Sequence, residues 1–171
     1  MSIESVAIGL VNPKSPENVG MVMRAAGCYE AQQVFYSGVR YNRARQFFTD
    51  TNNAQQKIPL QHAEDLLLAA PPGASIVAVE LIEGATPLVY FEHPPQAYYI
   101  FGPEDGSLSQ ALLDGCDHVV YIPTIGCMNL AATVNVVLYD RLAKRLGSAI
   151  ADRPIAQNRD INSRGRILVA R

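Results

Sequence analysis

Three stretches of this 171-residue chain join polar residues to glycine and proline in patterns that could do chemistry. The first is Asn12-Pro13-Lys14-Ser15-Pro16-Glu17-Asn18-Val19-Gly20-Met21-Val22-Met23-Arg24, in which Arg24 is the only charge between Asn18 and Tyr29. Gly20 and Arg24 are four residues apart and share one helix face, where glycine lets a ligand approach the backbone. A guanidinium so placed can grip a phosphate or carboxylate with two parallel hydrogen bonds. An Arg snorkelling from a half-buried helix is the competing account. The second stretch is Phe101-Gly102-Pro103-Glu104-Asp105-Gly106-Ser107-Leu108-Ser109. Its glycines bracket an acidic pair, so the chain can turn sharply and offer backbone groups beside Glu104; a plain acidic turn before a helix explains the same residues. The dinucleotide spacing G-x-G-x-x-G is absent. The third stretch, Tyr121-Ile122-Pro123-Thr124-Ile125-Gly126-Cys127-Met128-Asn129-Leu130, reads as a loop entering a helix, with Asn129 free either to cap that helix or to serve a site.

Strands and helices must position these stretches, and the pattern predicts both. Ser5 to Val11 is a short apolar run suited to a strand buried on both faces. Ser15-Pro16-Glu17 then starts a helix with an N-cap, a proline in the first turn and an acid beside the helix dipole. That helix runs to about Cys28, with Val19, Val22, Met23 and Ala26 as its apolar stripe. Further strands are expected at Gln33–Ser37, Ser75–Leu81, Ala97–Phe101 and His118–Ile122. Helices are expected at Gln61–Ala70, near Leu108–Leu113, and over Met128–Leu146. The polar region from Gly38 to Pro59, with Arg40, Arg43 and Arg45 close together, reads as loop plus a short helix. Such alternation implies an α/β fold, a mainly parallel sheet flanked by helices. Ligands of these sheets bind beyond the carboxyl ends of the strands, which is where all three stretches fall.

Composition narrows the class. Hydrophobic residues make up 49% and charged residues 18%, a globular balance, and the 12 Gly and 11 Pro are not periodic. A net charge of −2 argues against a strongly basic nucleic-acid coat but permits a local basic patch. Cys28, Cys116 and Cys127 are far apart, and the three His are not at ligand spacing to them, so no metal site is expected. Val119 to Tyr139 carries no formal charge, yet Pro123, Gly126, Asn129 and Asn135 break it; a strand and a helix explain it better than a membrane span. The first residues lack a secretory pattern, and a reducing cytoplasm is the expected compartment. The helix after Asn129 is apolar nearly all round until Asp140, so it needs cover on more than one side, from a second subunit or from this chain.

Taken in order, the three stretches resemble motifs 1, 2 and 3 of the SpoU-type (TrmH-like) RNA ribose 2′-O-methyltransferases of the SPOUT superfamily. The resemblance covers roughly Ser5 to Arg145. It implies a C-terminal trefoil knot, a homodimer with the motif 3 helix at its interface, and S-adenosylmethionine as methyl donor to a ribose 2′-OH of RNA. It divides the chain into a methyltransferase domain over 1–148 and an Arg-rich tail over 149–171. On the family's pattern Arg24 lies nearest the reacting hydroxyl and its phosphate, with Asn18, Glu104 and Asn129 as its companions. Glu104 is expected to orient the Arg24 guanidinium. Gly102, Ile122, Cys127 and Met128 are expected to hold the cofactor, along with an unassigned contact near Val79 to Leu81. Arg40, Arg43 and Arg45 are candidate RNA contacts, as are Arg153, Arg159, Arg164, Arg166 and Arg171 of the tail. Two departures stand out: motif 3 usually has Ser where Cys127 stands, and a Gly commonly occurs near Glu30. The compact size and the Met-Asn-Leu wording of motif 3 point towards tRNA and its anticodon loop, with rRNA as the other substrate. A knotted RNA-binding dimer without turnover is the rival reading.

Overall fold

The computed structural model describes residues 4–45 and 58–146. Its elements run β1 (Ser5–Leu10), α1 (Pro16–Cys28), β2 (Gln33–Tyr36), α2 (Arg40–Arg45), β3 (Leu60–His62), β4 (Ser75–Val79), β5 (Thr86–Pro87), a 3-10 turn (Leu88–Tyr90), β6 (Gln96–Phe101), α3 (Gln110–Asp114), β7 (His118–Tyr121) and α4 (Leu130–Leu146). The seven strands form one parallel sheet in the order β3-β2-β1-β6-β4-β7-β5. Leu10 pairs with Phe101, Phe101 with Val79, and Val79 with Val120. The loops after β1, β6, β4 and β7 therefore emerge along one rim.

Strand alternation sends successive side chains to opposite faces. Ile8, Leu10, Val77, Val79, Tyr99 and Phe101 pack with Val19, Val22 and Met23 of α1 and Val134, Val137 and Leu138 of α4. Ala7, Phe35, Ala78, Tyr98 and Ile100 meet Leu66, Leu108 and Leu113 on the other face. Each fully buried large side chain of these clusters contributes about 1.5–3 kcal/mol.

The expected helix over Gln61–Ala70 does not form. Leu60–His62 pairs instead with Val34–Tyr36, extending the sheet. The Asp65 carboxylate then accepts from the N–H groups of Leu67 and Leu68, and a single turn follows. Pro71 and Pro72 prevent that turn from propagating. The short strand β5, only Thr86 and Pro87, forms where the sequence pattern predicts no strand. The uncharged segment from Val119 to Tyr139 resolves into the end of β7, a loop and α4, and no helix among the described residues is long and apolar enough to cross a membrane. The Arg-rich tail lies outside the described residues.

At the opposite end of the sheet from that rim, α4 is tethered to residues 88–95. Buried Arg141 donates to the carbonyls of Pro94 and Pro95, and Lys144 to those of Leu88 and Phe91. His93 lies between them, Nδ1 2.6 Å from the Tyr99 hydroxyl and Nε2 2.8 Å from Asp140 Oδ2. A carboxylate only accepts, so neutral His93 donates from Nε2 and accepts from Tyr99 at Nδ1. Burial lowers the His93 pKa from its ordinary 6.5, against the opposing pull of Asp140. Because the folded value lies below the unfolded one, this stabilisation is complete above about pH 6.5 and declines as the pH falls below it. His93→Gln should therefore shrink the drop in Tm that wild type shows between pH 7.5 and pH 5.5. An undiminished drop in the variant would remove His93 as its source.

Candidate active site

Motif 1 begins at the rim because β1 ends there. Asn12 takes a left-handed conformation at φ 41°, and the Ser15 side chain caps α1 by accepting from the Asn18 N–H at 3.2 Å. The loop after β6 lays Glu104 across the start of this helix, where the dipole favours a negative charge. Its carboxylate accepts from the N–H of Lys14 at 2.9 Å, the N–H of Ser15 at 3.1 Å and Asn18 Nδ2 at 3.0 Å. Burial pushes the Glu104 pKa up, but those three hydrogen bonds outweigh it and leave the group below its usual 4.5. Buried Asn18 turns its oxygen to Asn129 Nδ2, 2.9 Å away. Asn129 in turn caps α4, accepting from the Ala131 N–H at 2.8 Å. It thus both caps the helix and joins the site. Glu104, Asn18 and Asn129 form one hydrogen-bonded chain linking all three motifs.

Beside that chain lies an open cleft of about 190 Å³ between the loops after β4, β6 and β7. Gly102, Ile122, Cys127 and Met128 all line it, together with Val79, Glu80 and Leu81. The strand end from Val79 to Leu81, where a further contact is expected, thus reaches the cleft with all three of its residues.

Arg24 stands apart from the chain. It projects from the exposed face of α1 with Gly20 and Met21, and a side chain at Gly20 would meet nothing within 4 Å. Among the described residues Arg24 has no hydrogen bond or ion pair. The expected pairing with Glu104 is therefore not formed, because Lys14, Ser15 and Asn18 already occupy that carboxylate. Arg40 instead makes a bidentate pair with Asp105, at 2.7 and 3.1 Å, and Lys14 lies 3.7 Å from the same carboxylate. Arg43 is exposed, and Arg45 sits over the Tyr41 ring at 5.8 Å. Among the described residues no group of His, Cys, Asp and Glu could hold a metal ion.

The model of the SpoU rRNA methylase family matches residues 5–139, a span that contains every element of this network. The chain belongs to the SpoU family. No match was found among curated proteins. Among solved structures, the TrmH/SpoU tRNA modifying enzyme of A. aeolicus aligns at 17% identity with a TM-score of 0.72, over 88% of this chain and 80% of that one. A protein described as giving insights into the 2-OH methylation of C/U34 on tRNA aligns at 22% identity and a TM-score of 0.68, over 85% of this chain and 99% of that one. AviRb of Streptomyces viridochromogenes, in complex with the cofactor AdoMet, aligns at 20% identity and a TM-score of 0.66, over 85% of this chain. The present chain spans 62% of that protein's length. At these identities the likenesses establish a shared fold. In this SpoU chain Glu30 takes φ 59°, so an acid occupies the left-handed turn for which a glycine would be better suited.

Proposed function

We propose that this SpoU protein transfers a methyl group from S-adenosylmethionine to a ribose 2′-hydroxyl of RNA. The observation that carries the proposal is the Glu104–Asn18–Asn129 chain beside the cleft, within a chain the family model matches. The cleft fits the donor. A Cβ on Gly102 would lie 3.1 Å from Glu80 Oε2, so glycine keeps its wall open, and Leu81, Ile122 and Met128 offer apolar cover for a nucleobase. When bound there, the cofactor supplies a methyl already activated by positive sulfur. The protein must position the hydroxyl and stabilise the charge that develops on it. Arg24 fills this role by holding the neighbouring phosphate and neutralising the incipient alkoxide. Glu104, Asn18 and Asn129 keep the three motifs in register around the cleft.

The substrate we favour is tRNA, at the anticodon loop, with rRNA as the alternative. The alignment with 99% of the protein described by the 2-OH methylation of C/U34 on tRNA supports tRNA. Arg40, Arg43, Arg45 and the tail arginines are proposed as phosphate contacts. A cytoplasmic homodimer with a C-terminal knot completes the reading. Exposed Met21 and Tyr139, on the paired helices α1 and α4, support the dimer, and the tethering of α4 by residues 88–95 supports the knot. Cys127 favours the rival reading of a dimer that binds RNA without turnover, since a thiol donates more weakly than the usual serine.

The test uses purified protein, S-adenosylmethionine with a labelled methyl, and methylation-poor tRNA and rRNA, with nucleosides read by mass spectrometry. A labelled 2′-O-methyl nucleoside from tRNA is expected. Label from rRNA alone would move the substrate, and RNA binding without label would favour the rival.

A further inference from the structure

Among the described residues, the charged ones lining the cleft are Glu80 and Glu104, both acidic. Glu80 is pinned at the end of β4. Its N–H donates to the Val120 carbonyl, its Oε1 accepts from the Leu81 N–H at 3.0 Å, and its Oε2 accepts from the Leu108 N–H at 2.8 Å. The carboxylate thereby joins the loops after β4 and β6 and is held against Gly102. Two N–H donors leave lone pairs, and the negative charge, available to the cleft. The cations beside motif 2 do not cancel it, because Lys14 and Arg40 are drawn onto Asp105.

We propose that Glu80 makes this cleft selective for the charge of its ligand, favouring the cationic methyl donor over the neutral demethylated product. The inference rests on the cofactor location given above. Methyl transfer breaks the bond from carbon to sulfur, leaving the electron pair on sulfur. It forms the carbon–oxygen bond to ribose and releases the hydroxyl proton to solvent water. The sulfonium becomes a neutral thioether, so the ligand's net positive charge is lost. A fixed carboxylate in the cleft attracts the ligand before that change and no longer does afterwards, which assists product release. The same charge turns RNA phosphates away from the cofactor's place. If Glu80 merely staples the loops together, its loss weakens every ligand alike.

Calorimetry on the full-length protein separates these roles, using S-adenosylmethionine, S-adenosylhomocysteine and sinefungin, whose amine keeps the positive charge in place of the sulfonium. Glu80→Gln preserves size and an acceptor oxygen while removing the charge. It is expected to weaken the two cationic ligands by about fivefold, with S-adenosylhomocysteine unchanged, as suits a charge pair at high effective dielectric. Equal weakening of all three overturns the proposal. Should the variant fail to fold, a salt series on wild type decides: the preference for the cationic ligands falls with salt if the inference holds. A preference independent of salt overturns it. Gly102→Val tests the location separately, since a side chain there crowds Glu80 and the cleft. Retention of all three ligands by that variant would remove the cofactor from this cleft, a result distinct from any failure of Glu80.

Discussion

Arg24→Ala is expected to lower the rate of methyl transfer by roughly 10²–10³, the range for removing one group that stabilises developing charge. The protein should fold as before, because Arg24 is exposed and unpaired among the described residues, and such surface changes usually stay within about 0.5 kcal/mol. Binding of S-adenosylmethionine should also be unchanged, since Arg24 does not line the cleft. Arg24→Lys separates charge from geometry: it keeps a cation but loses the planar two-pronged grip, so only part of the rate should return. The measurement is single-turnover methylation of tRNA at saturating donor, with Tm and cofactor affinity recorded on the same samples. A variant that methylates at the wild-type rate would remove Arg24 from the chemistry. A variant that loses donor binding together with activity would place the residue in the cofactor site instead.

The exposure of Arg24 also shows which parts of the site were legible in the sequence. Ser15-Pro16-Glu17 carried a local capping signal, and α1 starts where that signal says. Asn18, Glu104 and Asn129 converge because strand order brings their loops to one rim, and a parallel α/β reading already predicts that rim. Partner choice was not legible. Glu104 had two plausible uses, and only the loop's path across the start of α1 shows that backbone N–H groups and Asn18 take it, leaving Arg24 free. Arg40 is similar: three nearby arginines suggest an open basic patch, but Asp105, 65 residues away, claims one of them. The segment from Gln61 to Ala70 misled for another reason. Its Leu and Ala residues favour a helix locally, yet pairing with the exposed edge of β2 wins for Leu60–His62, as tertiary contacts override weak propensities. Glu80 was hidden because one acid at a strand end carries no spacing pattern; its role depends on the Leu108 N–H, which approaches only through the fold.

Glu104→Ala tests whether the hydrogen-bonded chain is the keystone that its geometry suggests. The substitution leaves the N–H groups of Lys14 and Ser15 and the Asn18 amide without their shared acceptor. Partner loss in a charged network costs about 1–3 kcal/mol, and the partial exposure of this site favours the lower half of that range. A Tm lower by roughly 3–6 °C follows for a chain of this size. Methyl transfer should fall further than stability alone explains, because Asn18 then loses its hold on Glu104 while still bonded to Asn129. The pH dependence gives an independent signature. Glu104 titrates below its usual 4.5 in the folded protein, so its contribution is complete above about pH 4.5 and is lost as the pH falls through the lower folded value. That window lies beneath the one assigned to His93, so the two are separable in one series of melts. Glu104→Gln keeps the side chain's length but cannot titrate, and it turns an amide N–H₂ towards existing donors. It should flatten the acid limb below pH 4.5, leave the limb between pH 7.5 and 5.5 intact, and still lose activity. An unchanged acid limb in Glu104→Gln would show that the carboxylate contributes nothing to holding motifs 1 and 2 together.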